Sequence, residues 1–220
     1  MKALGMIEVY SFTTVVVCAD IMAKTGNVSV IAFDRNRPFA KGFPVPLIMA
    51  AKIEGNVADV KASVEAAKAY AESKGHYIVS HVIPSPGEDV DKMTYLMDIN
   101  KDKFNKKLPK NFRGAEDVLE VPGASAIGLL EVSGLTASIV GLDEMVKTAE
   151  VRLVHTEKRL GGRLVTLVIA GKVDAVNSAI EKGKVITEPY SPTYGCEVIA
   201  NPHPEVLKFF DMTSGLDTAK

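Results

Sequence analysis

Cysteine is nearly absent from this 220-residue sequence: Cys18 and Cys196 stand far apart, with no second thiol near either. That spacing excludes a disulfide framework and a thiolate metal site, and it is the usage expected of a reducing, cytoplasmic setting. An excess of charge of one sign is also missing. The 26 Lys and Arg residues balance 27 Asp and Glu to leave a net charge of −1, so no overall field draws the chain to nucleic acid, a membrane or an acidic substrate. No apolar run reaches the roughly 18 residues of a membrane span, and Met1-Lys2 leads straight into a strand-like run; neither a signal peptide nor a span is expected. The four histidines, His76, His81, His155 and His203, have no metal-ligand spacing, and no Ser, Cys or carboxylate pair falls in a recognisable catalytic motif. A soluble, non-enzymatic protein without metal or cofactor is expected.

What the sequence does have is a repeat. GMIEVYSFTTVVVCADIMAKTGNVSVI from Gly5 recurs loosely as GLLEVSGLTASIVGLDEMVKTAEVRLV from Gly128. Without a gap, Glu8 falls on Glu131, Thr13 on Thr136, Asp20 on Asp143, Met22 on Met145, Lys24 on Lys147 and Val28 on Val151. Two copies in a chain of this length imply two similar domains, each of roughly 100 residues.

The pattern of elements repeats with the residues. Strands are predicted over 3–9, 28–33, 47–53 and 77–83. Helices are predicted from Thr13 or Thr14 to the Gly26-Asn27 stop, and over 57–73, where apolar residues at 57, 60, 64, 67 and 71 make a stripe. A short helix follows over 88–97. The second copy gives strands over 126–132, 151–156, 164–170 and 194–199, helices up to 149 and over 173–182, and a short helix after Pro202. Each unit reads βαββαβ: an α+β fold with a four-stranded antiparallel sheet and helices packed on it. The domains predicted are 1–98 and 124–220, joined by a basic linker, 99–123, that contains Lys101, Lys103, Lys106, Lys107, Lys110 and Arg113. These charges lack interleaved aromatics for base stacking, so a solvated crossing is favoured over a nucleic-acid site.

The copies differ at one hairpin. Gly55 aligns with Gly171, Val60 with Val176 and Pro86 with Pro202 in a register shortened by seven residues, all lost between the second and third strands. There DRNRPFAKGFPVP in the first unit faces EKRLGGR in the second. Hairpin tips tolerate insertion on any scaffold, and they are also where function on a rigid scaffold tends to sit.

The stretches ALGMIEV, ADIMAKTGNV, EGNVADVKASVEA and HVIPSP in the first unit, and AIGLLEV, LDEMVKTAEV, GRLVTLVIAGKVDAVNSAIEKG and EVIANPHPEV in the second, resemble the bacterial microcompartment shell domain, present twice. The resemblance implies a structural shell tile in the cytoplasm: a homotrimer whose six domains imitate a hexamer and which meets other shell proteins edge to edge. It implies that the hairpin between the second and third strands lines a central pore. The matching residues are Arg37, Pro38, Phe39, Ala40, Lys41 and Gly42 in the first unit, and Arg159, Leu160, Gly161, Gly162 and Arg163 in the second. Arg35, Arg37, Lys41, Lys158, Arg159 and Arg163 outnumber Asp34 and Glu157 there, so a three-fold pore would favour small anionic metabolites, unless these cations point to solvent or pair with those acids. Gly161-Gly162 supplies hinge freedom to the shorter loop. The resemblance also places Lys24 and Lys147 at the contact between tiles; the plainer reading is a cation favourable to a helix C-terminus. Some tandem relatives carry a pore-loop cysteine for an iron-sulfur cluster, and neither loop here has one. A tandem α+β sensor binding a small molecule between domains, and an enzyme whose site forms only at a trimer interface, stay open as alternatives.

Overall fold

A computed structural model of the chain describes residues 2–36, 45, 47–87, 90, 94, 98, 99, 123–157 and 164–210. The chain divides into two compact units, Met1–Pro109 and Lys110–Lys220.

In the first unit, β1 (Ala3–Tyr10) leads through Ser11 into α1 (Phe12–Thr25). Ser11 has φ 76°, and its Oγ accepts a hydrogen bond from the Thr14 amide at 3.5 Å, capping the helix. There follow β2 (Val28–Asn36), β3 (Ile48–Gly55), α2 (Val57–Ser73) and β4 (Tyr77–Ile83). The Asn56 side chain caps α2 by accepting from the Asp59 amide at 2.9 Å. The strands pair antiparallel in the order β2-β3-β1-β4.

The second unit repeats this with β5 (Ala126–Ser133), α3 (Leu135–Thr148), β6 (Val151–Glu157), β7 (Leu164–Gly171), α4 (Val173–Thr187) and β8 (Thr193–Ala200). A short α5 (Pro204–Leu207) and a 3-10 turn, Lys208–Phe210, come last. Its sheet order, β6-β7-β5-β8, is the same topology. Its core gathers Leu130 and Val132 of β5, Met145 of α3, Ile169 of β7, and Val176 and Ile180 of α4. Burying each large side chain contributes about 1.5–3 kcal/mol.

The duplication extends to fine geometry. Ala3 pairs with Gly55 and Ala126 with Gly171. A β-bulge falls between Val30 and Ala32 and again between Leu153 and His155, and a second bulge between Glu8 and Val9 recurs between Glu131 and Val132. Gly5 and Gly128 do one job: a Cβ would sit 2.7 Å from Val60 Cγ1 in the first unit and 2.6 Å from Ile180 Cγ1 in the second. Only glycine lets α2 and α4 lie this close to the central strands.

Two predicted boundaries are corrected. β2 continues three residues past Phe33, because Asp34, Arg35 and Asn36 pair with Ala50, Met49 and Ile48 on β3. α4 runs past Lys182 to Thr187. Gly183 does not stop it: a Cβ there would meet Met145 Cγ at 2.7 Å, so the residue serves close packing of α4 on α3 inside a continuing helix. Most of the short helix expected over 88–97, and linker residues 100–122, lie outside the described residues. Among the described residues, no helix is long and apolar enough to cross a membrane.

Candidate functional site

The hairpins that distinguish the two units spring from β2–β3 and β6–β7. The tip residues expected to line a pore, Arg37, Pro38, Phe39, Ala40, Lys41 and Gly42 with Arg159, Leu160, Gly161, Gly162 and Arg163, lie outside the described residues. The roots of both hairpins are described, and each holds a buried acid with a base.

In the first root, Asp34 of β2 pairs with Lys52 of β3, both largely buried. The Lys52 ammonium also donates to the Thr94 carbonyl at 2.6 Å. Ile99 donates its amide to the Phe33 carbonyl at 2.8 Å, and Asp98 bridges to Asp34, so chain that follows β4 is fastened to the β2 edge. Burial pushes the Asp34 carboxyl above its ordinary range, and the hydrogen bond and charge of Lys52 pull it back.

In the second root the acid keeps its place and the base changes strand. Glu157 occupies the Asp34 position, and His155, two residues earlier on β6, places Nε2 at 3.7 Å from Glu157 Oε2, with both side chains buried. Val168 stands at the Lys52 position. In register, Ala32 pairs with Lys52 and His155 with Val168: each cross-strand pair holds one basic and one apolar residue, exchanged between strands. The His155 ring meets the Phe210 ring at 5.2 Å, and Phe210 matches Thr94 when the Pro86–Pro202 register is continued. Each root therefore ties the hairpin to the chain that follows its last strand.

Sequence reasoning missed Lys52, His155, Thr94 and Phe210. One signal was available: Lys52 is the only charge within the otherwise apolar run LIMAAKI, and a lone base on a buried strand needs an acid partner. Asp34 is thereby engaged by a strand lysine.

The two lysines expected at a tile edge end equivalent helices. Lys24 Nζ lies 2.6 Å from Asp20 Oδ2, and Lys147 Nζ 2.5 Å from Asp143 Oδ2. Acid one turn before base is the favourable order on a helix. The Asp143 hydrogen bond raises the Lys147 pKa. Lys24 is partly exposed and Lys147 well exposed, while Asp20 is buried and Asp143 is not.

The helices that carry them differ in cover. On α1, Phe12, Val16 and Ala23 are 1%, 0% and 6% exposed. At the matching positions of α3, Leu135, Ile139 and Val146 are 69%, 57% and 43% exposed. The same apolar stripe is buried in one unit and open in the other.

Cys18 is buried, donates its thiol to the Ala67 carbonyl at 3.7 Å, and burial pushes its pKa up to about 12; it is a packed thiol, not a thiolate. Among the described residues, no His, Cys, Asp or Glu cluster is placed to hold a metal.

Comparison with known proteins agrees with the duplicated geometry. The BMC domain model matches residues 3–86 and again 126–202. The carboxysome assembly protein CcmO of Synechococcus elongatus is 29% identical over 208 residues, covering 93% of this chain and 67% of its own length. The bacterial microcompartment shell protein PduA of Salmonella typhimurium is 41% identical over 83 residues, 38% of this chain and 87% of its own. The carboxysome shell protein CsoS1A of Hydrogenovibrio crunogenus is 40% identical over 82 residues, 37% of this chain and 84% of its own. Two matched sheets, two matched bulges and two matched segments covering most of the sequence lead to one conclusion: this chain belongs to the BMC-domain family of bacterial microcompartment shell proteins, which are structural and not enzymatic, and it carries that domain twice.

Proposed function

We propose that this chain is a shell tile that closes into a homotrimer of six near-equivalent domains, 1–98 and 124–220 from each copy joined through 99–123. Its two hairpins line a central pore, and it meets other shell proteins edge to edge in a cytoplasmic microcompartment. The observation that carries the ring is the unequal cover of one repeated stripe. Leu135, Ile139 and Val146 on α3 are open, while Phe12, Val16 and Ala23 on α1 are buried. An apolar stripe left open on one face of a helix is a surface that a closed ring of head-to-tail copies would cover. Exposed Leu and Ile a turn apart are what a neighbouring copy would bury, at about 25 cal/mol per Å².

The pore reading rests on the hairpin roots. Both hairpins end their paired ladder beside a buried acid set against a base, which supports firm stems for the tips Arg37–Gly42 and Arg159–Arg163. Three copies of Arg37, Lys41, Arg159 and Arg163 around one axis would favour small anionic metabolites. Lys24 and Lys147, with Asp20 and Asp143 beside them, would lay their stems along the neighbouring tile.

Light scattering and electron microscopy test the ring: wild type should run as a trimer and image as flat tiles, and Leu135→Asp with Ile139→Asp should run as a monomer with an unchanged circular dichroism spectrum. A monomeric wild type would refute it. Conductance through reconstituted tiles tests the pore: anion preference should fall on Arg159→Ala, and an unselective wild type would refute that part alone.

A further inference from the structure

The α3 stripe is one of two surfaces that the duplicated units treat oppositely; the other is the sheet face turned away from the helices. On β1, Gly5 meets α2, so Ile7 and Val9 face the helices while Met6 and Glu8 face the other way. Opposed residues of an antiparallel pair share a face, and Met6 stands against His81 and Glu8 against Val79 on β4. In the first unit this β1–β4 half of the outer face is open: Val79 is 49% exposed, Glu8 and His81 are exposed, and Met6 is half-buried. In the second unit the matching residues of β5, Leu129 and Glu131, are both 0% exposed. The order is the reverse of the helix stripe, which is buried on α1 and open on α3.

We propose that the two open surfaces are partners: the α3 stripe of one copy seats on the outer β1–β4 face of the first unit of the next copy. This pairing rests on the ring reading and adds to it the surface that receives the stripe. A stripe that met its own counterpart would close two copies into an isologous dimer, whereas a contact between two different patches runs head to tail and can close as a ring. Each chain carries one open patch of each kind, so a closed ring leaves neither a stripe nor a face uncovered. The shapes and chemistry agree. Leu135, Ile139 and Val146, spaced by four and by seven, lie along one side of α3. On the receiving face Met6 and Val79 are diagonal apolar neighbours. The chain that follows β4 covers the other half of that face, where Lys52, opposite Met6 on β3, donates to the Thr94 carbonyl. Glu8 stands beside the apolar pair, and its counterpart Glu131 shows that a carboxylate at this position can be sunk completely and still be engaged.

Cross-linking of the full chain tests the pairing. Cys18 is buried, and Cys196→Ser removes the half-buried thiol; in that background Val79→Cys and Ile139→Cys are introduced singly and together and treated with a short bis-maleimide. The double variant should give covalent dimers and trimers on a denaturing gel, and each single variant should give none. Linked dimers from Ile139→Cys alone would put stripe against stripe and overturn the pairing, as would a double variant that is trimeric by light scattering yet yields no linked copies. A second measurement needs no linker. Glu8→Arg with Val79→Arg should run as a monomer with an unchanged circular dichroism spectrum, and mixing it with L135D/I139D should form dimers of one copy each, because one intact stripe and one intact face remain between them. An E8R/V79R variant that stays trimeric overturns the pairing and leaves the ring standing, whereas a monomeric wild type overturns both. Should E8R/V79R fail to fold, the cross-linking pattern decides.

Discussion

Replacing Lys52 with methionine keeps the length of the side chain and removes its charge, leaving Asp34 with its carboxylate in a largely buried site. Breaking a buried pair from one side costs about 3–5 kcal/mol, but here chemistry sets a ceiling. Asp34 can escape by taking up a proton, and for a carboxyl with an ordinary pKa near 3.9 that costs at most about 4 kcal/mol at pH 7 and about 1.5 at pH 5. Loss of the bond from Lys52 to the Thr94 carbonyl adds about 1–2 kcal/mol that does not depend on pH. In the variant the folded-state pKa of Asp34 is raised further above its unfolded value, so the penalty is absent well below the unfolded pKa and grows as pH rises. The expected destabilisation of the first unit is therefore about 4 kcal/mol at pH 7, shrinking by about 2 by pH 5. Opening free energies from hydrogen exchange of β2 and β3 peptides measure it, and Asp34→Asn on top of Lys52→Met should recover most of the pH-dependent part. A penalty equal at the two pH values, or below about 1 kcal/mol at pH 7, would show that the pair is not what holds the root.

Gly128→Ala should destabilise the second unit by about 1–3 kcal/mol in denaturant unfolding, since its Cβ would sit 2.6 Å from Ile180 Cγ1. Ser11→Ala, which removes the cap yet keeps φ at 76°, should cost about 1 kcal/mol, whereas Ser11→Gly relieves the backbone and should be nearly neutral. Lys147→Ala should leave the thermal midpoint of the isolated protein unchanged and reduce sheet formation seen by electron microscopy; intact sheets would dismiss the edge role. Cys18 should resist alkylation at pH 8 in the folded protein and react at once in denaturant, its thiol being buried and its pKa pushed up to about 12.

The fold was legible because its causes are local and written twice. Short strand-like apolar runs marked the strands, the 57–71 stripe marked α2, and Gly5 with Gly128 recurred where helix and sheet touch. Boundaries failed where tertiary contact overrode a local sign: Gly183 reads as a stop until Met145 is seen against it, and Asp34 reads as a turn residue until Lys52 stands across from it. The site was legible as a place and not as chemistry. The lost seven residues pointed to the hairpins, but charge counting grouped Asp34 and Glu157 with the loop cations, whereas both lie within strands. No window of sequence joins Lys52 to Asp34 or Phe210 to His155; those partners meet only through sheet register and the return of the chain after the last strand.

That the base moves while the acid stays indicates what the fold requires at this position. A root with neither base would bury a carboxylate beside two apolar residues, and a root with both would crowd two bases around one carboxylate. Of the four combinations of base and apolar residue across Ala32 with Lys52 and His155 with Val168, the two that occur are those that set a single base beside the acid. The requirement is on the sum across the strand pair and not on either position, so neither strand alone reveals it, and the duplicated unit supplies the comparison that does.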